Sequence, residues 1–173
     1  PGPVVVDQEA EAFPPTGASC ELLLRRLRAG ESVSASFARR ILDAAAMQFA
    51  AEPRVRHFAV PLNGRVVIVG DLHGSVADLC AAMDAAGAPT PKKSVVLFNG
   101  DYVDRGAQSI ETLIAVLCLK LAFGDAVHVN RGNHEDVGLS QVYDFERELE
   151  EKFGPIIGAR LLHAASRCFA EMP

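Results

Sequence analysis

The sequence predicts an α/β fold built on a parallel sheet. Three short apolar runs, rich in β-branched residues, alternate with longer segments of helical periodicity. These runs are Val66–Val69, Val95–Phe98 and Ala126–Val129. The order strand, helix, strand, helix, strand favours right-handed crossovers and parallel strands. Because Asp, His or Asn follows each run, we expect these polar groups to collect at one edge of the sheet.

Length and composition indicate one globular domain. The chain has 173 residues, of which 49% are hydrophobic and 23% charged, so it can bury a sizeable core. Its net charge of -5, without a run of lysines or arginines, gives no attraction to nucleic acid or to an acidic membrane. No apolar run approaches membrane-spanning length, and no charged-then-apolar leader opens the sequence. We therefore expect neither a nucleic-acid partner nor a membrane partner.

The four cysteines are far apart in the sequence, and none forms a Cys-x-x-Cys pair. Each lies in an apolar helical pattern, so buried reduced thiols explain them better than disulfides or a zinc site. This cysteine usage predicts a cytoplasmic or nuclear protein.

The first elements in chain order are a lead-in and two helices. Residues 1–18 contain four prolines and three acidic residues without a clear period, which predicts a flexible lead-in before a domain that spans 19–173. Helical spacing begins at Ser19 and stops at Gly30. It resumes near Ser34 and ends before Pro53.

The first strand is expected to be the second arm of a hairpin. Val55–Val60 and Arg65–Val69 flank Asn63-Gly64, a dipeptide suited to the positive φ angles of a tight turn. Next, Ser75 can cap a helix that ends at Gly87, and Ser94 opens the central strand.

The remaining elements are expected to be one more strand and several helices. The segment Ser109–Phe123 is apolar almost all round, so we expect neighbouring elements to cover it on most sides. After Glu135 the chain is mainly helical, with a strongly charged segment over Leu139–Phe153 and a helix from Pro155 to about Phe169.

The polar residues that follow the strands suit a metal site. Asp71 and His73 are two positions apart, so an extended backbone points both side chains the same way, where they can hold a divalent first-row metal. Asp101 follows the neighbouring strand and has two oxygens, so it could bridge two ions, and Asn133 offers an amide oxygen to the second ion. Two ions that share a carboxylate can bind a phosphoryl group and an activated water.

Three further residues would complete the chemistry. Arg105 presents a planar fork suited to phosphate oxygens. His134 can donate a proton to a departing alkoxide, and Asp104 can orient its ring. Glu135 is expected to support the loop rather than act as a base.

Each motif alone also has a plain structural reading. The motif at Asp71 could be a tight turn, Asp101 with Asp104 and Arg105 a surface ion pair, and the motif at Asn133 a capped helix start. All three occur directly after separate apolar strands, and this joint placement favours a metal site. By contrast, the positions of His57, His128 and His163 favour packing or exposure over metal binding.

At these residues the chain resembles the phosphoprotein phosphatase family of serine/threonine phosphatases. The order and spacing of three motifs match, over roughly residues 35–173, and the surrounding residues are most similar to the branch that includes phosphatases with EF-hands. No calcium loop is visible. The motifs are Gly70-Asp71-Leu72-His73-Gly74, Gly100-Asp101-Tyr102-Val103-Asp104-Arg105-Gly106 and Gly132-Asn133-His134-Glu135.

The resemblance implies a metallophosphoesterase β-sandwich flanked by helices, represented here by its N-terminal βαβαβ half. Asp71, His73 and Asp101 would hold one ion, and Asp101 and Asn133 would begin the second. Two further histidines and a second phosphate-binding arginine would lie downstream of residue 173. The complete domain would thus hold two divalent ions of Mn, Fe or Zn, and we expect one ion and little activity in this chain.

The implied function is metal-dependent hydrolysis of phosphoserine or phosphothreonine in proteins by metal-activated water. Two alternatives stay open: a metallophosphoesterase that acts on nucleotides or dinucleoside polyphosphates, and an inactive fragment that binds a partner. A phosphoprotein is the expected substrate, and the sequence leaves open whether a regulatory subunit exists.

Overall fold

A computed structural model describes residues 9–173 of the chain. Two helices precede a region of alternating strands and helices, and three more helices follow it. The helices are α1 (Gly17–Arg28), α2 (Ala35–Ala51), α3 (Val76–Ala86), α4 (Ser109–Phe123), α5 (Val137–Val142), α6 (Phe145–Phe153) and α7 (Pro155–Glu171). The strands are β1 (Arg65–Val69), β2 (Ser94–Phe98) and β3 (Val127–Val129), and a 3-10 turn at Gly124–Ala126 precedes β3.

The three strands form one parallel sheet in the order β1-β2-β3, which confirms the predicted βαβαβ unit with its second strand in the centre. Val69 lies beside Phe98, and Phe98 lies beside Val129, so the last residues of all three strands are in register. Because the strands run the same way, the loops that leave them start from one edge of the sheet.

The two faces of the sheet have different surroundings. One face joins the main hydrophobic core through Val69, Phe98 and Val129. Helix α4 belongs to this core over almost its whole length, as its all-round apolar sequence predicts. On the other face Ile68 is 68% exposed, so only part of that face is covered by the described residues.

Local sequence explains where the first helices begin. The Thr16 hydroxyl accepts a hydrogen bond from Ser19 N, and the Ser19 hydroxyl accepts one from Thr16 N, which is a reciprocal capping box. The Ser34 hydroxyl caps α2 by accepting from Phe37 N, and Ser75 caps α3 as predicted. None of the helices in the described part of the chain is both long and apolar enough to cross a membrane.

The predicted hairpin before β1 is wrong in its first arm. The turn itself forms, with Asn63 at φ 58° and Gly64 N donating to Pro61 O at 2.9 Å, but residues 55–60 form no strand. Strand β1 pairs with β2 instead, and Phe58 stacks on the His128 ring of β3 at a centroid distance of 4.1 Å. Phe58 therefore packs by ring stacking against β3, instead of the segment pairing as a strand with β1.

The structure describes only part of the predicted flexible lead-in, residues 1–18. Residues 1–8 lie outside the described residues. Beyond them, Ala10 is buried, and the Glu11 carboxylate accepts hydrogen bonds from the backbone and hydroxyl of Ser34. At Ala10 and Glu11 this segment is therefore packed on the domain.

Candidate metal and phosphate site

Three loops leave the carboxyl edge of the sheet, and their backbones bond to one another. Asn99 N donates to Val69 O, and Asn130 N donates to Phe98 O, each at 2.9 Å. His73 N donates to Asp101 O at 2.9 Å. The ladder thus continues beyond the strands and brings the three polar motifs together.

Glycines allow this close approach of the loops. A Cβ atom on Gly132 would overlap the backbone nitrogen and the carboxylate of Asp101. A Cβ atom on Gly106 would overlap the carbonyl oxygen of His73. Only a residue without a side chain fits at these two contacts, which explains the glycines in the second and third motifs.

The loop backbone is strained at the residues of interest. Among the described residues, five non-glycine positions have positive φ angles, and four of them are His73, Asp101, Asp104 and Arg105, at 41°, 55°, 69° and 67°. Such conformations are costly and persist only where the surrounding contacts dictate them. Strain concentrated in this way is typical of a functional site.

A buried carboxylate fastens two of the loops. Glu135 Oε2 accepts hydrogen bonds from Asp101 N at 2.7 Å and Gly132 N at 2.9 Å, and Oε1 accepts one from Tyr102 N at 2.8 Å. Burial raises the pKa of Glu135, and these three amides act in the opposite direction by stabilising the charged form. Through these hydrogen bonds Glu135 supports the loops, as expected from the sequence.

The Tyr102 hydroxyl connects the ends of β2 and β3. It donates to Asn130 O at 2.7 Å and lies 3.1 Å from Phe98 O. Burial raises the pKa of this phenol well above its ordinary value, so it remains a hydrogen-bond donor. The ends of β2 and β3 are thus held at a fixed separation.

His73 presents an unpaired nitrogen. Its Nδ1 lies 2.9 Å from Val103 O, and because a carbonyl can only accept, Nδ1 carries the proton and Nε2 keeps a lone pair. Nε2 is buried and has no hydrogen-bond partner, while Asp71 Oδ2 lies 3.8 Å from it. A buried lone pair beside a carboxylate, with the other ring nitrogen fixed by a carbonyl, is the arrangement of a metal-binding histidine.

Ligand atoms of three residues converge here. Among the described His, Cys, Asp and Glu side chains, one group of three could hold a metal ion: His73, Asp101 and His134, whose ligand atoms all lie within 4.8 Å of one another. This group differs from the predicted ligands because His134 belongs to it and Asp71 does not. The Asp71 side chain is 64% exposed, so its carboxylate faces solvent beside His73.

The other predicted ligand and the remaining histidines lie elsewhere. Asn133 is exposed at the rim of the same loop cluster. His128 is buried in β3 against Phe58, His163 is exposed on α7, and His57 is exposed in the segment before β1. None of these three histidines belongs to the convergent group within the described chain.

Asp104, His134 and Arg105 form a connected set beside that group. His134 Nδ1 lies 2.8 Å from Asp104 Oδ2, and both side chains are almost fully buried. The Arg105 guanidinium lies 3.3 Å from His134 Nε2, and the Arg105 residue is exposed. Since the carboxylate only accepts and the guanidinium only donates, the proton of a neutral His134 ring lies on Nδ1.

Sequence reasoning missed the groups that surround this set. Asp104 Oδ1 accepts a hydrogen bond from Phe145 N at 3.0 Å, across 41 residues of sequence. The Tyr143 ring lies 4.9 Å from the His134 ring. Local sequence patterns do not indicate such distant contacts. The one visible signal was Tyr143, an aromatic residue just before the start of a helix.

Comparisons with known proteins agree with this geometry. Residues 64–173 match the family model described as calcineurin-like phosphoesterase. The chain is 38% identical over 128 residues to the serine/threonine-protein phosphatase rdgC of Drosophila melanogaster, covering 74% of this chain and 19% of that protein. It is 33% identical over 162 residues to the human serine/threonine-protein phosphatase with EF-hands 1, covering 93% of this chain and 24% of that protein.

A solved structure shares the fold. It is a serine/threonine phosphatase from Saccharomyces cerevisiae with similarity to human phosphatase PP5, with a TM-score of 0.75 and 28% sequence identity. The match covers 88% of this chain and 49% of that chain. These matches confirm the resemblance noted in the sequence and the α/β fold class. The three strand-end motifs lie within the matched residues, and the chain belongs to the calcineurin-like phosphoesterase family.

Proposed function

We propose that this chain carries the first part of the active site of a metal-dependent serine/threonine protein phosphatase. The observation that supports this most is the unpaired, buried Nε2 of His73, which faces the same loop cluster as Asp101 and the Asp104–His134 pair. The names of the relatives support phosphoproteins as the substrate class. The chain spans 19% and 24% of the two curated relatives described above, so the activity of the whole protein is part of the proposal.

The donor set fits divalent metal ions. Asp71, His73 and Asp101 would hold one ion, because imidazole nitrogen and carboxylate oxygen together suit Mn, Fe or Zn. Asp101 and the exposed Asn133 would begin a second, weaker site. When bound, such ions polarise a phosphoryl group and activate water.

Arg105 would orient the phosphate. It is exposed, carries a bidentate donor fork and lies next to His134. A phosphate that engages the guanidinium would replace its contact with His134 Nε2. This nitrogen would then be available to the oxygen of the leaving serine or threonine.

With both ring nitrogens protonated, His134 would serve as the donor of its Nε2 proton to that oxygen, leaving a neutral ring, and Asp104 would position it. With Nδ1 held by Asp104 at 2.8 Å, the ring has one orientation and directs Nε2 towards Arg105. A general acid placed in this way contributes about 10²–10⁴-fold to a rate.

We further infer that the isolated chain binds one ion and turns over slowly. Two donors for the second ion give weak binding, and the chain covers 49% of the solved relative's length. Its four cysteines are free and buried, which supports a reducing compartment such as the cytoplasm or nucleus.

Manganese binding and substrate competition together test the proposal. We expect His73→Asn to weaken Mn²⁺ binding at least tenfold in equilibrium dialysis, whereas His163→Asn, an exposed histidine on α7, leaves it unchanged. Equal binding by wild type and His73→Asn would refute the metal assignment.

Substrate class is tested in a mixture of a phosphoserine peptide and a dinucleoside polyphosphate. We expect the peptide to be hydrolysed preferentially. Preferential hydrolysis of the nucleotide would favour a nucleotide-directed metallophosphoesterase.

A further inference from the structure

Helices α4 and α6 begin beside the Asp104–His134 pair, and neither is capped by its own N-cap side chain. Gln108 and Asp144 occupy the N-cap positions without making a side-chain cap hydrogen bond. Each first turn nevertheless has amide groups that need acceptors. Carboxylates from distant parts of the chain supply them.

Glu148 of α6 caps α4. Its Oε2 accepts from Ser109 N at 2.9 Å, and its Oε1 accepts from Ile110 N at 3.0 Å. Glu148 is 7% exposed, and Lys152 Nζ lies 2.9 Å from its Oε1. A nearly buried carboxylate that accepts two amides and a lysine is fixed in place, and its charge complements the positive end of the α4 dipole.

Asp104 is held by both of these helices. Its Oδ1 accepts from Phe145 N, the first residue of α6, at 3.0 Å. Its own backbone N donates to the Ser109 hydroxyl at 3.1 Å. The contacts therefore close a ring from Asp104 through α6 to Glu148, from Glu148 to the first turn of α4, and from Ser109 back to Asp104.

We propose that Glu148 is a positioning residue for phosphoester hydrolysis, acting through Ser109 and Asp104 to keep His134 in its reactive orientation. This inference rests on the proposed function for the reaction it assists. The positioning itself is a structural claim about the bond between Asp104 and His134, 2.8 Å long. Both parts can be measured separately.

The test compares Glu148→Gln with Glu150→Gln in the full chain. Glutamine keeps the shape of Glu148 but offers one acceptor oxygen, so one amide of the α4 first turn loses its partner. Glu150 is exposed on the same helix and serves as the matched control. Circular dichroism establishes that each variant is folded.

The first readout is independent of activity. In ¹⁵N-histidine-labelled protein, exchange of the His134 Nδ1 proton with water should accelerate about tenfold in Glu148→Gln and remain unchanged in Glu150→Gln. His134→Asn assigns the resonance. An unchanged exchange rate in Glu148→Gln would overturn the inference, whatever the activity.

The second readout is hydrolysis of p-nitrophenyl phosphate with manganese. We expect Glu148→Gln to lower kcat about tenfold with KM changed less than twofold, and to have no further effect in a His134→Asn background. An equal loss in that background would mean that Glu148 acts by another route. Accelerated exchange in a protein without phosphatase activity would leave the positioning intact and remove the proposed function.

If Glu148→Gln does not fold, Ser109→Ala provides the same test. It removes the hydroxyl that bonds Asp104 N and leaves both capped amides in place. We expect the same faster exchange, and its absence would overturn the inference.

Discussion

Replacing Glu135 by alanine removes a side chain that accepts hydrogen bonds from backbone amides of two of the site loops. Three N–H groups would lose their acceptor: that of Tyr102, which is buried, and those of Asp101 and Gly132, which are partly buried. Each unsatisfied amide costs about 1–3 kcal/mol. Relief of the burial that raises the pKa of Glu135 offsets part of this cost, so we expect a net loss of about 3 kcal/mol. For a chain of this size that lowers Tm by about 6–12 °C.

Urea and thermal unfolding followed by circular dichroism measure this loss. Glu135→Gln should cost about half as much, because its oxygen can still accept from two amides while its NH₂ group faces the third. Glu21→Ala is the control: Glu21 is 78% exposed and pairs with Arg25 at 3.5 Å, so its removal should cost less than about 0.5 kcal/mol. A loss below about 1 kcal/mol in Glu135→Ala would refute the reasoning that this carboxylate holds the loops together.

Three other predictions concern the same core and loops. Asp104→Asn should lower kcat about 100-fold on p-nitrophenyl phosphate with little change in KM, and a change below about threefold would contradict its positioning of the proton donor. Gly132→Ala should lower both Tm and manganese affinity because its methyl group overlaps the neighbouring loop, whereas Gly70→Ala meets open space and should behave as wild type; equal behaviour would show that the loops separate easily. Burial raises the pKa of Cys20 and of Cys168 from 9.0 to about 12. The unfolded chain therefore loses these protons first, and the contribution of these two thiols to stability should be constant below about pH 9 and then fall by about 1.4 kcal/mol per pH unit per thiol. Urea unfolding at a series of pH values should show that the free energy of unfolding falls less steeply above about pH 9 in the Cys20→Ala, Cys168→Ala double variant. An unchanged pH dependence would refute the raised pKa values of these two thiols.

Most of the fold was predictable because its signals are local. Strand β1 spans Arg65–Val69 and helix α4 spans Ser109–Phe123, both as expected from periodicity and breakers. The hairpin failed because the turn at Asn63 is a local signal, whereas the partner of β1 is decided by distant packing. Likewise, the charged segment expected over Leu139–Phe153 divides into two helices at Tyr143 and Asp144, where the backbone turns to meet Asp104.

The convergence of the candidate site was predictable because the carboxyl ends of parallel strands meet at one edge of the sheet. Three motifs at strand ends are sufficient to expect Asp71, His73 and Asp101 near one another. Sequence alone could not indicate that His134, rather than the exposed Asp71, would join His73 and Asp101 in one group of ligand atoms within 4.8 Å of one another. The caps from Glu148 and Asp104 were also invisible, because each connects residues about 40 positions apart.

The most direct test of the account is anomalous diffraction from crystals of this chain grown with manganese. We expect one strong peak bonded to His73 Nε2, with oxygen ligands from Asp71 and Asp101. The absence of a peak at His73, or a manganese ion bound only at other residues, would contradict the central claim that these strand-end side chains form a metal site.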